Sequence, residues 1–435
     1  MGQQRHAYNK LLLSTPDGPK LLPRRLKMKA RINPILAIVC LVGTFALTLF
    51  ANDNKPDIVF ILADDLGNKD VGFNGCTEIK TPNLDKLAAA GTVLSQFYVQ
   101  PLCSPTRASL MTGRYPIRYG LQAGVIKPGD KYGLPLNEQM LPQRLHDVGY
   151  STFAVGKWHL GEFEKAYWPT SRGFDHHYGF LFGAIDYFEH IRYGIPDWWR
   201  DGKPIKEAGY TTHLFGDEAV RIIKAQSKDK PLFLYTAFNA VHTPLQAQEN
   251  YTSPYKLLKG QRRTYAGMMA ALDEAVGKIV AAIDETGRRK NTLFIFSSDN
   301  GGPAPGKITD NGIFRAGKGT VYEGGVRVCA FATWEGKIKA GAKVDEPMHM
   351  VDWYPTLLKL VGDSGTQKLP LDGRDIWPTI TEGKKSPHSE LLVNIQGSSG
   401  AVHVGDWKLV IHTSVSPDKK KHEKIELFNL RVDPR

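Results

Sequence analysis

The run Asp57-Ile58-Val59-Phe60-Ile61-Leu62, followed at once by Ala63-Asp64-Asp65, decides the fold. It is nearly unbroken in apolar residues rather than alternating, which predicts a strand covered on both faces, as in a buried parallel sheet. Related runs recur at Ser151–Val155, Leu232–Ala237, Thr292–Ser297 and Val328–Thr333, with helical segments between them. Thr81-Pro82 reads as an N-cap with proline at the first helical position, and Gly91 as the close of that helix. Between Tyr265 and Ile283 the residues Tyr265, Met268, Met269, Leu272, Val276, Ile279, Val280 and Ile283 fall at helical spacing, and the Met pair reads as core packing. Strands alternating with helices predict an α/β fold, a large and mostly parallel mixed sheet sandwiched by helices. Ligand sites in such sheets lie beyond the carboxyl ends of the strands. Past residue 365 the texture changes to short β-like stretches at Leu391–Ile395, Trp407–Ile411 and Ile425–Phe428 among charged loops. This predicts a small antiparallel C-terminal β subdomain over 366–435. The segment from Glu162 to Thr212, aromatic and turn-rich with His176, His177, Trp198 and Trp199, reads as a functional loop lining the mouth of a pocket.

Composition narrows the class. The chain has 435 residues, 42% apolar and 23% charged, which excludes a disordered, collagen-like or polytopic membrane protein. Its formal charge of +12 is concentrated at one end: residues 1–33 hold eight Lys/Arg and one Asp, leaving +5 for the remainder. Nothing in that remainder calls for nucleic acid. From Pro34 to Ala51 there is no charge, Lys27, Lys29 and Arg31 precede the stretch, and Asn52-Asp53-Asn54 follow it. Residues 1–51 therefore read as a leader with a secretory signal peptide, an uncleaved N-terminal membrane anchor being the rival reading. Met28 offers an alternative start. Everything from Lys55 onward is expected to be exported, to a secreted, periplasmic or lysosomal destination set by the host. Without the leader, Cys76, Cys103 and Cys329 remain, an odd number that calls for a chemical explanation. Cys329 reads as a buried strand residue, and Cys76 has no evident role.

Two strand ends carry carboxylates: Asp64-Asp65 after the first run, and Ser298-Asp299-Asn300-Gly301-Gly302 after the run at Thr292–Ser297. Adjacent carboxylates repel unless a cation or shared proton settles them. Three carboxylates and an amide form a hard oxygen set suited to Ca²⁺ or Mg²⁺, with turn or capping aspartates as the plain alternative. In Pro101-Leu102-Cys103-Ser104-Pro105-Thr106-Arg107, Ser104 reads as an N-cap and Pro105 as the first helical residue. That places Cys103 at the positive end of a helix, with Arg107 as a further anion donor. In Gly156-Lys157-Trp158-His159, Lys157 and His159 share one face if the chain stays extended. His242 follows the run at Leu232–Ala237, and Lys318 sits in Ala316-Gly317-Lys318-Gly319. Singly each is more often a solvated surface group. Together they form a cationic, proton-carrying wall opposite the metal, an arrangement for transfer from an anionic ester.

On these residues the sequence resembles the sulfatase family of the alkaline phosphatase superfamily. Pro101–Gly113 contains Cys-x-Pro-x-Arg, Gly149–His159 ends in Gly-Lys-Trp-His, and the match runs from about Lys55 to the C-terminus. Within the family, Val241–Gln246, Tyr265–Met268 and Asp273–Gly277 look most like the arylsulfatase B group, the N-acetylgalactosamine-4-sulfatases and their relatives. The resemblance implies a catalytic domain over 52–365 in which a separate maturation enzyme oxidises Cys103 to Cα-formylglycine. Of the two hydroxyls of the hydrated aldehyde, one attacks sulfur, and deprotonation of the other then expels sulfate, a second step that serine could not complete. It further implies one Ca²⁺ on Asp64, Asp65, Asp299, Asn300 and the modified Cys103. Arg107 and Lys157 would orient the hydrate, with His159 as elimination base. His242 and Lys318 would hold the sulfate, and His242 would protonate the leaving alcohol. The implied substrate is a sulfated small molecule or glycan, with a glycosaminoglycan or polysaccharide favoured by the subgroup. The last residues, Leu427–Arg435, resemble the start of the family's C-terminal motif, so truncation is expected. Three other readings stand beside this one: a phosphate or phosphonate ester hydrolase of the same superfamily, a non-catalytic binder of sulfated glycans, and a structural Cys103 bonded to Cys76 or Cys329.

Overall fold

The computed structural model describes residues 55–395, 399–415 and 421–435; the leader at 1–51 lies outside them. In chain order the strands are β1 (Asp57–Ala63), β2 (Thr92–Leu94), β3 (Ser151–Lys157), β4 (His176–Phe180), β5 (Trp199–Arg200), β6 (Lys203–Pro204), β7 (Leu232–Ala237), β8 (Thr292–Ser298), β9 (Ala330–Thr333) and β10 (Ala342–Val344). They form one ten-stranded sheet in the order β10-β2-β9-β8-β1-β7-β3-β4-β5-β6. The central strands β8, β1, β7, β3 and β4 run parallel, and antiparallel pairs flank them. The mixed, mostly parallel sheet expected from the runs is present.

Every residue of β1 is buried, and alternate side chains feed two cores, as the pleat requires. Val59 and Ile61 face a core shared with α1 (Pro82–Ala89), α4 (Thr211–Ala225) and α5 (Gly260–Glu285). Ile58, Phe60 and Leu62 face another shared with α2 (Cys103–Thr112), α3 (Leu141–Asp147) and α6 (Trp353–Leu360). Met268 and Met269 on α5 are wholly buried among apolar neighbours, as core packing.

Two local expectations are corrected. The run at Val328–Thr333 is not one strand: Arg327–Val328 pairs with Phe97–Tyr98 in a separate sheet, while β9 lies antiparallel to β8. Burial on both faces makes a run apolar in either direction, so hydropathy carries no strand polarity. Thr81 does not cap α1 with its side chain; its hydroxyl accepts from Gly72 N and donates to Asp85. Asp273 of α5 caps the helix instead, accepting from Asn83 N at 3.1 Å and Leu84 N at 2.8 Å. A carboxylate at a helix N-terminus satisfies orphan donors and suits the dipole.

The remaining strands, Glu390–Ile395, Ser399–Val404, Trp407–Val415 and Lys421–Asn429, form an antiparallel four-stranded C-terminal sheet. Its anchor is a buried ion pair: Lys408 Nζ lies 2.7 Å from Glu323 Oε1, and Tyr98 donates to the other carboxylate oxygen at 2.9 Å. Lys408→Ala is expected to destabilise the protein by about 3–5 kcal/mol in urea unfolding, since Glu323 would lose its nearest cation while buried. A loss under about 1 kcal/mol would show that Arg327, 3.4 Å away, suffices. Among the described residues no helix is long and apolar enough to cross a membrane.

Candidate active site

Two adjacent parallel strands, β1 and β8, deliver the acidic residues, and β7 on the other side of β1 leads to His242. Backbone pairing continues past the strand ends, Asp64 N to Ala240 O at 2.9 Å and Asp299 N to Ala63 O at 3.0 Å. The residues after β1, β7 and β8 therefore reach one level at the carboxyl edge. Asp65 then turns the chain with a φ of 62°, a left-handed conformation that aspartate tolerates. Its amide approaches Asp299 Oδ1 at 3.3 Å, and Asn300 donates to its carboxylate at 2.7 Å.

Cys103 is the first residue of α2, and Leu102, not Ser104, occupies the cap position. The Ser104 hydroxyl accepts from Ile126 N instead, at 3.2 Å. Proline is tolerated within the first helical turn because the N–H it lacks would have no partner there, so Cys-Ser-Pro starts the helix earlier than a Ser-Pro cap reading implies. The Cys103 thiol, 2% exposed, lies 3.4 Å from Asp64 Oδ1 and 3.5 Å from Asn300 Oδ1. Asp64, Asp65, Cys103 and His242 offer ligand atoms all within 4.8 Å of one another. Burial, with Asp299 and Asp64 beside it, pushes the thiol well above its ordinary range. As a cysteine it stays protonated and unreactive. Cys76, Cys103 and Cys329 are all free thiols, so the disulfide reading of Cys103 gains nothing.

Each carboxylate has its own cation. Lys157 Nζ is 2.5 Å from Asp64, Lys318 Nζ is 2.6 Å from Asp65, and Arg107 grips Asp299 through Nε at 3.2 Å and Nη2 at 2.9 Å. Arg107 also donates to the Lys157 carbonyl at 3.0 Å. Burial raises the Asp64 and Asp65 carboxyls, but Lys157 and His242 at the first, and Lys318 and His242 at the second, hold both below the usual range. Arg107 and Lys157 have no exposed side-chain surface, whereas Lys318 and His242 retain 18% and 15%. The site thus has a sealed cationic floor and a second pair of basic groups that solvent can reach.

The two histidines differ. His159 has a φ of 59°, so the chain is not extended there and the shared face with Lys157 does not arise from strand alternation. Its Nε2 lies 2.8 Å from Ile126 O while its buried Nδ1 has no partner. Donation to that carbonyl leaves Nδ1 as a bare acceptor. Burial, then Lys157 and Arg107, hold the imidazole well below its ordinary pKa, so it is neutral. His242 Nδ1 lies 2.6 Å from Thr243 O, and Nε2 points to Asp65 at 3.6 Å.

A family model for sulfatases matches residues 56–363, most of the chain. The chain belongs to the sulfatase family. This sulfatase is 41% identical over 381 residues to arylsulfatase J of Mus musculus, a match covering 84% of this chain; the chain spans only 63% of that relative's length. It is 36% identical over 373 residues to mouse N-acetylgalactosamine-6-sulfatase, covering 80% of this chain and 70% of the relative. Among solved structures, Ps i-CgsB in complex with k-i-k-neocarrahexaose superposes with a TM-score of 0.81 at 36% identity, covering 87% of each chain.

The ten residues singled out in the sequence of this sulfatase for catalysis and metal binding lie in the cluster just described. His176 and His177, by contrast, belong to β4, and Trp198 is buried in the core, not at a pocket mouth. Three further participants were not assigned a place at the site from the sequence. Ile126 acts through its carbonyl, which any residue possesses. Ser104 was visible, but as a cap. Tyr187 donates to Asn239 O at 2.7 Å and His242 O at 2.8 Å, fixing the histidine's backbone; only the aromatic density of Glu162–Thr212 hinted at it.

Proposed function

We propose that this sulfatase hydrolyses sulfate monoesters of sugars at the Cys103 cluster. The observation that carries the reading is the position of Cys103: first in its helix, flanked by Asp64 and Asn300, and chemically inert as a thiol. Such a residue has a role once it is converted. Asp64, Asp65, Asp299 and Asn300 form the hard oxygen set that fits Ca²⁺. With three carboxylates already matched by Arg107, Lys157 and Lys318, a divalent ion leaves the site about +2, attractive to the single charge of a sulfate monoester. Bound calcium would supply charge to polarise a sulfate oxygen, and formylglycine a geminal diol with separate hydroxyls for attack and release.

The chain's own residues divide the remaining work. Arg107 holds the Asp299 and Asp64 carboxylates in place, and Lys157 orients the group at position 103. The bare Nδ1 of His159 accepts a proton from that group. Lys318 and His242, the solvent-reachable pair, hold the sulfate. His242 Nδ1 keeps its hydrogen on the Thr243 carbonyl, so the proton that Nε2 hands to the leaving oxygen is first taken up from solvent. Burial opposes the charged ring, and Asp65 and Asp64 favour it. Because Cys103 is buried, its maturation enzyme must act before the helix docks. The names of the relatives, an N-acetylgalactosamine-6-sulfatase and a protein bound to a neocarrahexaose, support a sulfated sugar as substrate. Export to an oxidising compartment accords with the leader.

The test is the mass of the Cys103 peptide together with rates on 4-nitrophenyl sulfate and 4-nitrophenyl phosphate. Aldehyde at position 103 with preference for the sulfate is expected. An unmodified thiol without turnover would favour a glycan binder, and preference for the phosphate a phosphohydrolase. Lys318→Ala is expected to lower kcat/KM on the aryl sulfate by about 10²–10³. Calcium affinity should hold or rise, since Asp65 loses a competing cation. An unchanged rate would remove Lys318 from the sulfate site.

A further inference from the structure

Between β4 and β5 the chain makes an excursion rooted on both site histidines. His159 N donates to Leu181 O at 3.1 Å, and a Cβ on Gly183 would meet His159 Nε2 at 2.4 Å. Tyr187 holds the His242 carbonyl. Gln246, four residues past His242, accepts from Tyr187 N at 2.9 Å and donates to Asp186 at 2.6 Å. The return of the excursion is tied down by Asp197, whose carboxylate accepts from Leu181 N at 3.1 Å and Phe182 N at 2.7 Å.

From this root projects a hairpin, Ile191–Arg192 paired with Ile195–Pro196. It begins where Asp186 N meets Ile191 O at 2.9 Å. Tyr193 stands two residues, about 7 Å of chain, beyond Ile191. The hairpin turns on Tyr193 and Gly194 with φ of 51° and 76°, the two-residue turn that favours Asn-Gly. A bulky aromatic at the first position is unusual there and strained. Tyr193 is 75% exposed, with Phe188, Ile191 and Ile195 also exposed nearby. Arg192 lies over the ring at 4.5 Å and has no carboxylate partner among the described residues. The tip thus presents an apolar ring face backed by a cation without a carboxylate partner, on the same excursion whose Gly183 and Tyr187 meet the two site histidines.

We propose that this hairpin is a subsite for a further sugar ring of a sulfated oligosaccharide, Tyr193 stacking on the ring and Arg192 pairing with an anionic group it carries. The inference rests on the sulfatase reading and extends it, making the substrate longer than one sugar. The occupant follows from continuity with the catalytic cluster and from charge: a sulfated glycan presents both flat ring faces and repeated anions.

The test uses the matured enzyme and compares kcat/KM on a sulfated neocarrahexaose and a chondroitin sulfate hexasaccharide with that on 4-nitrophenyl sulfate. Tyr193→Asn suits the turn, so the fold should be kept or strengthened, as thermal melting will show. The ratio of hexasaccharide to aryl sulfate kcat/KM is expected to fall roughly five- to tenfold through KM, with Arg192→Gln acting in the same direction. A ratio equal to that of the unaltered enzyme in both variants overturns the subsite. Hydrolysis of the aryl ester but of neither hexasaccharide also overturns it and leaves the sulfatase reading standing. Failure on all three esters removes the sulfatase reading itself.

Discussion

Cys103→Ala is expected to abolish sulfate-ester turnover, by about 10⁴-fold or more, as when a covalent nucleophile is removed. The fold should survive, since the change removes one sulfur atom whose neighbours, Asp64 and Asn300, keep Lys157 and Asp65 as partners. A cost of order 1–2 kcal/mol is appropriate for a small buried truncation. Cys103→Ser separates the two chemical steps. A hydroxyl at this position can attack, yet it has no second hydroxyl to drive release. The expected trace is at most one equivalent of 4-nitrophenol per chain followed by no steady turnover. Persistent turnover in Cys103→Ala, in protein freed of the unaltered enzyme, would move the reacting atom away from position 103.

Arg107→Ala is expected to be the most destabilising change at the site, by about 3–5 kcal/mol. Its guanidinium makes two bonds to Asp299, one to the Lys157 carbonyl and a longer one to Asp64, all fully buried. Truncation strands the buried Asp299 carboxylate, while Asp64 keeps Lys157. Arg107→Lys should recover only part of the loss, because one ammonium cannot reproduce a planar fork that engages both partners. On the proposed calcium site the ion would bring positive charge to the same carboxylates, so added calcium should narrow the gap in Tm between the variant and the unaltered protein. Urea unfolding with calcium and with chelator measures both effects. A loss below about 1 kcal/mol would mean that Asp299 is held by other groups.

The legibility of this site follows from where each signal resides. Acidic residues after apolar runs mark strand ends, and parallel strands place their ends together. Asp64, Asp65, Asp299 and His242 could therefore be grouped from the sequence. Cys103 stood out through its odd number and its helix start, although the start was misplaced by the Ser-Pro pair. The C-terminal sheet was visible in its short stretches for the same local reason.

The sequence by itself marked the long apolar strands and the α5 helix, because periodicity acts over a few residues, but it misjudged the unity of Val328–Thr333 and the start of α2. It also singled out the aspartates that gather at the candidate site, since apolar runs stop where carboxylates begin. Only the tertiary structure decided which partner each group meets. Arg107 and Asp299 stand 192 residues apart, Lys157 and Asp64 93, and the Asp273 that caps α1 is 190 residues from Asn83. The antiparallel direction of β9, the Ile126 carbonyl that leaves His159 Nδ1 bare and the rooting of the 191–196 hairpin on both histidines belong with these. Such choices depend on closing long loops against competing pairings, and no local pattern of hydropathy or charge encodes that balance.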